Sequence, residues 1–124
     1  MYHKMKIFYC LAILFVLVSC SNSNEKTTTV KKANPNINGA GLFNMHCASC
    51  HKCEGELTAP SLKGVESRWK DKELMYEFIR NPMGVIQKDK YAAELLKKYN
   101  AVMTPSDLTN EQIDAVLGYC NDSK

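Results

Sequence analysis

Cys47-Ala48-Ser49-Cys50-His51 is the stretch on which the reading of this chain turns. Two cysteines three residues apart present both sulfurs along one side of a helical turn, each placed to add to a vinyl group. The adjacent His51 projects its imidazole from the same face, toward an iron held between them. This is the C-x-x-C-H signature of covalent haem attachment, with His51 as the proximal ligand. Two other chemistries use such residues. A zinc site made from Cys47, Cys50, His51 and Cys53 requires four ligands wrapped from seven residues, with no second pair elsewhere in the chain. A thioredoxin-like redox pair requires a preceding strand and a βαβ setting, and neither is legible around the motif.

On both sides of the motif the apolar spacing is helical. Upstream, Gly39, Phe43 and Cys47 recur every four residues and share one stripe. Downstream, residues 71–80 put Leu74, Met75, Phe78 and Ile79 on one face, and Pro82 is expected to close the segment. Residues 88–99 turn Tyr91, Ala92, Leu95 and Leu96 inward and leave Lys88, Lys97 and Lys98 for solvent. Thr109, followed three residues later by Gln112, fits a capping box. Ile113, Val116, Leu117 and Cys120 then mark the inner face of the helix it opens. No segment alternates as a strand does, so the expected class is all-alpha.

Together these features resemble the class I cytochrome c family. Members commonly carry a glycine eight residues and an aromatic four residues before the first cysteine, the positions of Gly39 and Phe43 here. The resemblance implies four to five helices wrapped around one haem c, attached through Cys47 and Cys50. It implies that Pro60, in Ala59-Pro60-Ser61-Leu62-Lys63-Gly64, accepts the hydrogen bond of the proximal histidine; Pro60 as a plain turn residue is the other reading, and Leu62 is haem packing or core. It also implies a terminal helix crossing the first near Gly39, with Tyr119 in the contact. The sixth ligand would be Met103, in the loop before the last helix, with Pro105 fixing the backbone beyond it. Among the other methionines and histidines, Met75 and Met83 read as core or loop, Met45 and His46 lie too close to the attachment turn, and His3 lies near the N-terminus. Trp69 is either a donor to a haem propionate or an ordinary core tryptophan. Tyr99 either supports the Met103 loop or packs. One departure stands out: the family often has glycine after the histidine, where this chain has Lys52 and Cys53.

The N-terminus assigns a compartment. Lys4 and Lys6 precede an apolar run from Ile7 to Val18, which fits an export signal and is shorter than the ~18 residues of a confident membrane span. Leu17-Val18-Ser19-Cys20 resembles the lipobox of bacterial lipoproteins, implying that residues 1–19 are removed and that Cys20 carries lipid. An ordinary signal peptide with Cys20 incidental is the plainer reading; Cys10 is a small hydrophobe lost with the leader. Residues 20–36, polar and poor in large apolar groups, read as the lipidated N-terminus and a flexible linker; 37–121 form the cytochrome c domain and 122–124 a short polar tail. An exported setting permits a disulfide between Cys53 and Cys120, while a buried thiol at Cys120 with Cys53 unpaired is equally consistent with the sequence.

The chain has 124 residues, which allows one domain. A polypeptide this small buries only about two thirds of its unfolded surface, and a haem would add a large apolar face to its core. Formal net charge is +3, and losing Lys4 and Lys6 with the leader leaves it close to neutral, which argues against nucleic-acid binding. Two strong protein ligands leave no coordination position for a substrate, so the expected activity is electron transfer rather than enzymatic turnover. The expected partners are transient redox proteins such as an oxidase, reductase or dehydrogenase, reached from a lipid anchor in the bacterial cell envelope with the domain facing the periplasm. The alternatives are a ligand-binding or sensory haem protein whose Met103 is displaceable, and an exported scaffold with no covalent haem.

Overall fold

Asn38 starts the first helix by accepting a hydrogen bond from the Gly41 amide at 2.9 Å. That helix, α1, spans Gly39–His46. The computed structural model describes residues 36–124; the leader, Cys20 and residues 21–35 of the linker lie outside the described residues. Five α-helices and one 3-10 turn make up the described part, with no strand among those residues, which is the all-alpha class the spacing implies.

The longest helix among the described residues, α5, spans Asn110–Asp122. Its capping box forms as read: the Gln112 amide donates to Thr109 Oγ1 at 3.3 Å and the Thr109 amide to Gln112 Oε1 at 2.9 Å. Ile113, Val116, Leu117 and Cys120 are all buried. Helix α1 crosses α5 at very short range, because a Cβ on Gly39 would overlap the Ala115 carbonyl. Phe43 then packs on Tyr119 with ring centroids 5.7 Å apart, and on Val116 and Cys120 behind it.

Between these two helices the chain forms the 3-10 turn Val65–Arg68, then α2 over Lys72–Arg80, α3 over Pro82–Ile86 and α4 over Lys90–Tyr99. Asp71 caps α2 through the Leu74 amide at 2.8 Å, and Asp89 caps α4 through Ala92 at 2.9 Å. Helix α4 ends on Asn100 in the left-handed region, at φ 49°. Pro82 does more than stop α2. It sits in the first turn of α3, where its missing N–H costs nothing, and Asn81 caps that helix through Gly84 at 3.2 Å.

A polar clamp joins the middle of the chain to α5. The Tyr76 hydroxyl donates to Asp114 at 2.5 Å, and Lys72 pairs with Asp114 at 2.7 Å and with Glu66 at 3.0 Å. Tyr76 is 3% exposed, so its hydroxyl has given up water for this contact.

Candidate haem site

Helix α1 delivers the attachment motif. The Cys47 amide completes the last helical bond, to the Phe43 carbonyl at 2.8 Å. The Cys47 carbonyl then accepts from Cys50 at 3.1 Å and from His51 at 2.9 Å, winding the motif into one further turn. Cys47 and Cys50 are both free thiols. Cys50 is exposed, whereas Cys47 is half-buried and burial pushes its thiol up.

The loop after the motif returns to His51. Two backbone bonds pin its base, Leu62 N–H to Lys52 O at 2.9 Å and Lys63 N–H to Cys53 O at 2.8 Å. They bring Pro60 to the ring, where the His51 Nδ1–H donates to the Pro60 carbonyl at 2.7 Å. With Nδ1 carrying the proton, Nε2 is left as a bare donor atom. Burial holds the imidazole below its usual range, the Pro60 bond opposes this, and the Arg68 guanidinium adds to the lowering.

His51, Pro60 and Leu62 form part of the wall of an apolar cavity of ≈ 700 Å³, solvent at its mouth included. Trp69, Phe78 and Met103 also contribute to its lining. A second, outer lobe of ≈ 870 Å³ is bordered by His51 and Met103 too and opens at Cys50, Thr58 and residues 101–104.

The Met103 loop is held by α2. Ser106 N–H donates to the Ile79 carbonyl at 2.9 Å, and Arg80 Nη1 to the Leu108 carbonyl at 3.1 Å. Met103 is partly buried and packs against the main core cluster.

The residues present fit a haem. The Cys47 thiol, a bare imidazole nitrogen and a thioether border one apolar space, the Cys50 thiol borders the adjoining outer lobe, and Ser106, whose buried hydroxyl has no hydrogen-bond partner, is among the residues of the inner wall. Cys47, Cys50, His51, Pro60, Leu62, Trp69 and Met103 are thus brought together, while Cys20 lies outside the described residues. Trp69 is 8% exposed, with its ring edge-on to Tyr91 at 5.0 Å and tilted against Phe78 at 4.9 Å. Cys53 and Cys120 are joined in a disulfide, Cα atoms 4.7 Å apart. No group of three or more His, Cys, Asp or Glu converges among the described residues, so the zinc arrangement finds no support there. Two contributors were not singled out from sequence, Ser106 and Arg68; a serine three residues past a candidate ligand was the available signal for the first.

Residues 37–123 match the family described as Cytochrome c. The structure of a cytochrome c from Rhodothermus marinus is similar at 32% identity and a TM-score of 0.57, over 67% of this chain and 71% of that one. An engineered cytochrome c from Rhodothermus marinus, Rma TDE, is similar at 28% identity and a TM-score of 0.57, over 69% and 76% of the two chains. The same engineered protein bound to a carbene intermediate is similar at 28% identity and a TM-score of 0.54, with the same coverage. Comparison with curated proteins finds no match.

Proposed function

The chain belongs to the cytochrome c family, whose work is haem-based electron transfer, and on that premise we propose a monohaem carrier with His51 and Met103 as axial ligands. Haem, when bound, supplies an iron that alternates between ferrous and ferric states with little rearrangement of its ligands. Cys47 and Cys50 hold the group by thioethers, which prevents its loss. The Pro60 carbonyl orients His51 and strengthens its donor nitrogen. Trp69, Phe78 and Leu62 keep water from the inner face.

The single observation that carries this reading is the His51 bond to Pro60 at 2.7 Å, beside an apolar cavity that Met103 also lines. The test is the visible spectrum of the protein matured with a c-haem assembly system, in both oxidation states. A methionine-dependent band near ~695 nm in the oxidised form, lost in Met103→Ala, is the expected result. Bound haem without that band and with high-spin features removes Met103 from the iron and favours the ligand-binding alternative. No covalent haem after denaturation removes the carrier reading altogether.

Partners dock at the mouth of the outer lobe. Ser49, Cys50, Thr58, Val102 and Thr104 border it, and no Lys, Arg, Asp or Glu lines either lobe. Such a rim supports brief contacts with an oxidase, reductase or dehydrogenase that depend little on charge steering. Lipid at Cys20 and a tether over 20–36 keep the domain at the membrane, facing the periplasm; the support is the lipobox-like Leu17-Val18-Ser19-Cys20 alone. Cys20→Ala moving the protein from the membrane to the soluble fraction is the expected outcome.

A further inference from the structure

Ser106 Oγ is buried and has no hydrogen-bond partner, the single side-chain nitrogen or oxygen in that position among the described residues. Buried polar atoms in folded proteins are nearly always paired, and an exception marks a contact that forms only with a missing group in place. Ser106 lines the inner lobe, as Met103 does. Ile79 and Leu108, through which it is held, present side chains with no acceptor.

The serine is also fixed in place. Pro105 restricts the backbone before it, its own amide is tied to Ile79 at 2.9 Å, and the Leu108 carbonyl is tied to Arg80 at 3.1 Å. The hydroxyl therefore stays at the cavity wall while Met103, three residues earlier and with three rotatable side-chain bonds, is free to adjust. A thioether sulfur is a weak acceptor, and it is the acceptor that the same loop carries into the cavity.

We propose that Ser106 is a positioning residue whose hydroxyl donates to Met103 Sδ when that sulfur ligates the iron. The inference rests on the His51/Met103 reading above and deepens it. The bond holds the sulfur in its ligating orientation and draws electron density from it, so the ligand resists displacement and the ferric state is less favoured.

The test compares haem-loaded wild type with Ser106→Ala and Ser106→Thr, using imidazole as the competing ligand. In Ser106→Ala, imidazole should displace methionine at about 3- to 10-fold lower concentration, the effect of one lost hydrogen bond. The methionine-dependent band should shift, and the equilibrium with a one-electron reference couple should move toward ferric. Ser106→Thr, which keeps the hydroxyl, should behave as wild type. A wild type that shows the band beside an unchanged Ser106→Ala overturns this inference and leaves Met103 ligation standing. A Ser106→Ala that alters only the pH dependence of the potential also overturns it, and assigns the hydroxyl to a haem carboxylate. A wild type without the band overturns both readings together.

Discussion

The His51 side of the cavity and the Met103 side are built by different means. On the His51 side, α1 lies against α5 with no Cβ between them at Gly39, a disulfide ties the post-motif loop to α5, and two backbone bonds close that loop. On the Met103 side, a loop with Ala101, Val102, Thr104 and Pro105 exposed hangs from α2 by two hydrogen bonds. The first construction permits almost no adjustment, and the second permits some. Under the proposed His51/Met103 ligation, a protein arranged this way would fix one ligand through its fold and leave the strength of the other to a few side-chain contacts.

Four changes break or sharpen that contrast. Gly39→Val should have the largest effect, because its side chain meets the Ala115 carbonyl, a backbone atom that has no rotamer to move away. The expected result is little or no folded haem-bearing protein, measured by haem yield and circular dichroism. Replacing Cys53 and Cys120 together by serine comes next. The bridge spans a sequence separation of 67, and loop closure of that length corresponds to about 4 kcal/mol at most. A drop of ~2–4 kcal/mol in denaturant unfolding, with the oxidised-state spectrum unchanged, would place the bridge in stability alone.

Tyr76→Phe tests the clamp between the two sides and should cost about 1 kcal/mol, the usual worth of one hydrogen bond. Burial, and then the bond to Asp114, push the Tyr76 hydroxyl up to about 12, and Lys72 is raised as well by Asp114 and Glu66 against the cost of its own burial. Both groups hold their protons longer in the folded chain than in the unfolded one. Stability should accordingly be level through neutral pH and fall as pH rises from about 10, the unfolded tyrosine value, toward 12. Tyr76→Phe should shallow that fall in an alkaline melting series. The smallest effect belongs to Glu56→Gln, at an exposed pair with Lys98 2.6 Å away. No measurable change in melting temperature is expected there, since solvent screens such pairs.

Features with local causes were readable from the sequence. The attachment motif needs only the spacing of Cys47, Cys50 and His51, and the start of α5 needs only Thr109 and Gln112. The inner faces of α2, α4 and α5 follow from apolar periodicity. Helix α3 was missed because five residues carry no readable period and Pro82 looks the same whether it ends one helix or begins the next. The clamp was hidden for another reason, since Tyr76 and Asp114 are 38 residues apart and nothing local pairs them. Cys53 and Cys120 posed the same problem, their separation in space being set by the crossing of α1 and α5. At the cavity, residue types disclosed the candidate ligands but not the buried, unpaired Ser106 hydroxyl, because the placement of that loop depends on its ties to α2.

The Cys53–Cys120 bridge divides the cysteines of the described chain into two opposed chemistries. Cys53 and Cys120 are oxidised, while under the proposed haem attachment Cys47 and Cys50 would have to remain thiols until each meets its vinyl group. In the unfolded chain Cys50 stands as far from Cys53 as from Cys47, so early oxidation traps a sulfur that the cofactor needs. Only the folded crossing brings Cys120 to Cys53. On that proposal biogenesis acquires an order: a reducing step would keep the attachment pair open, and the correct bridge would be selected once the terminal helix has docked.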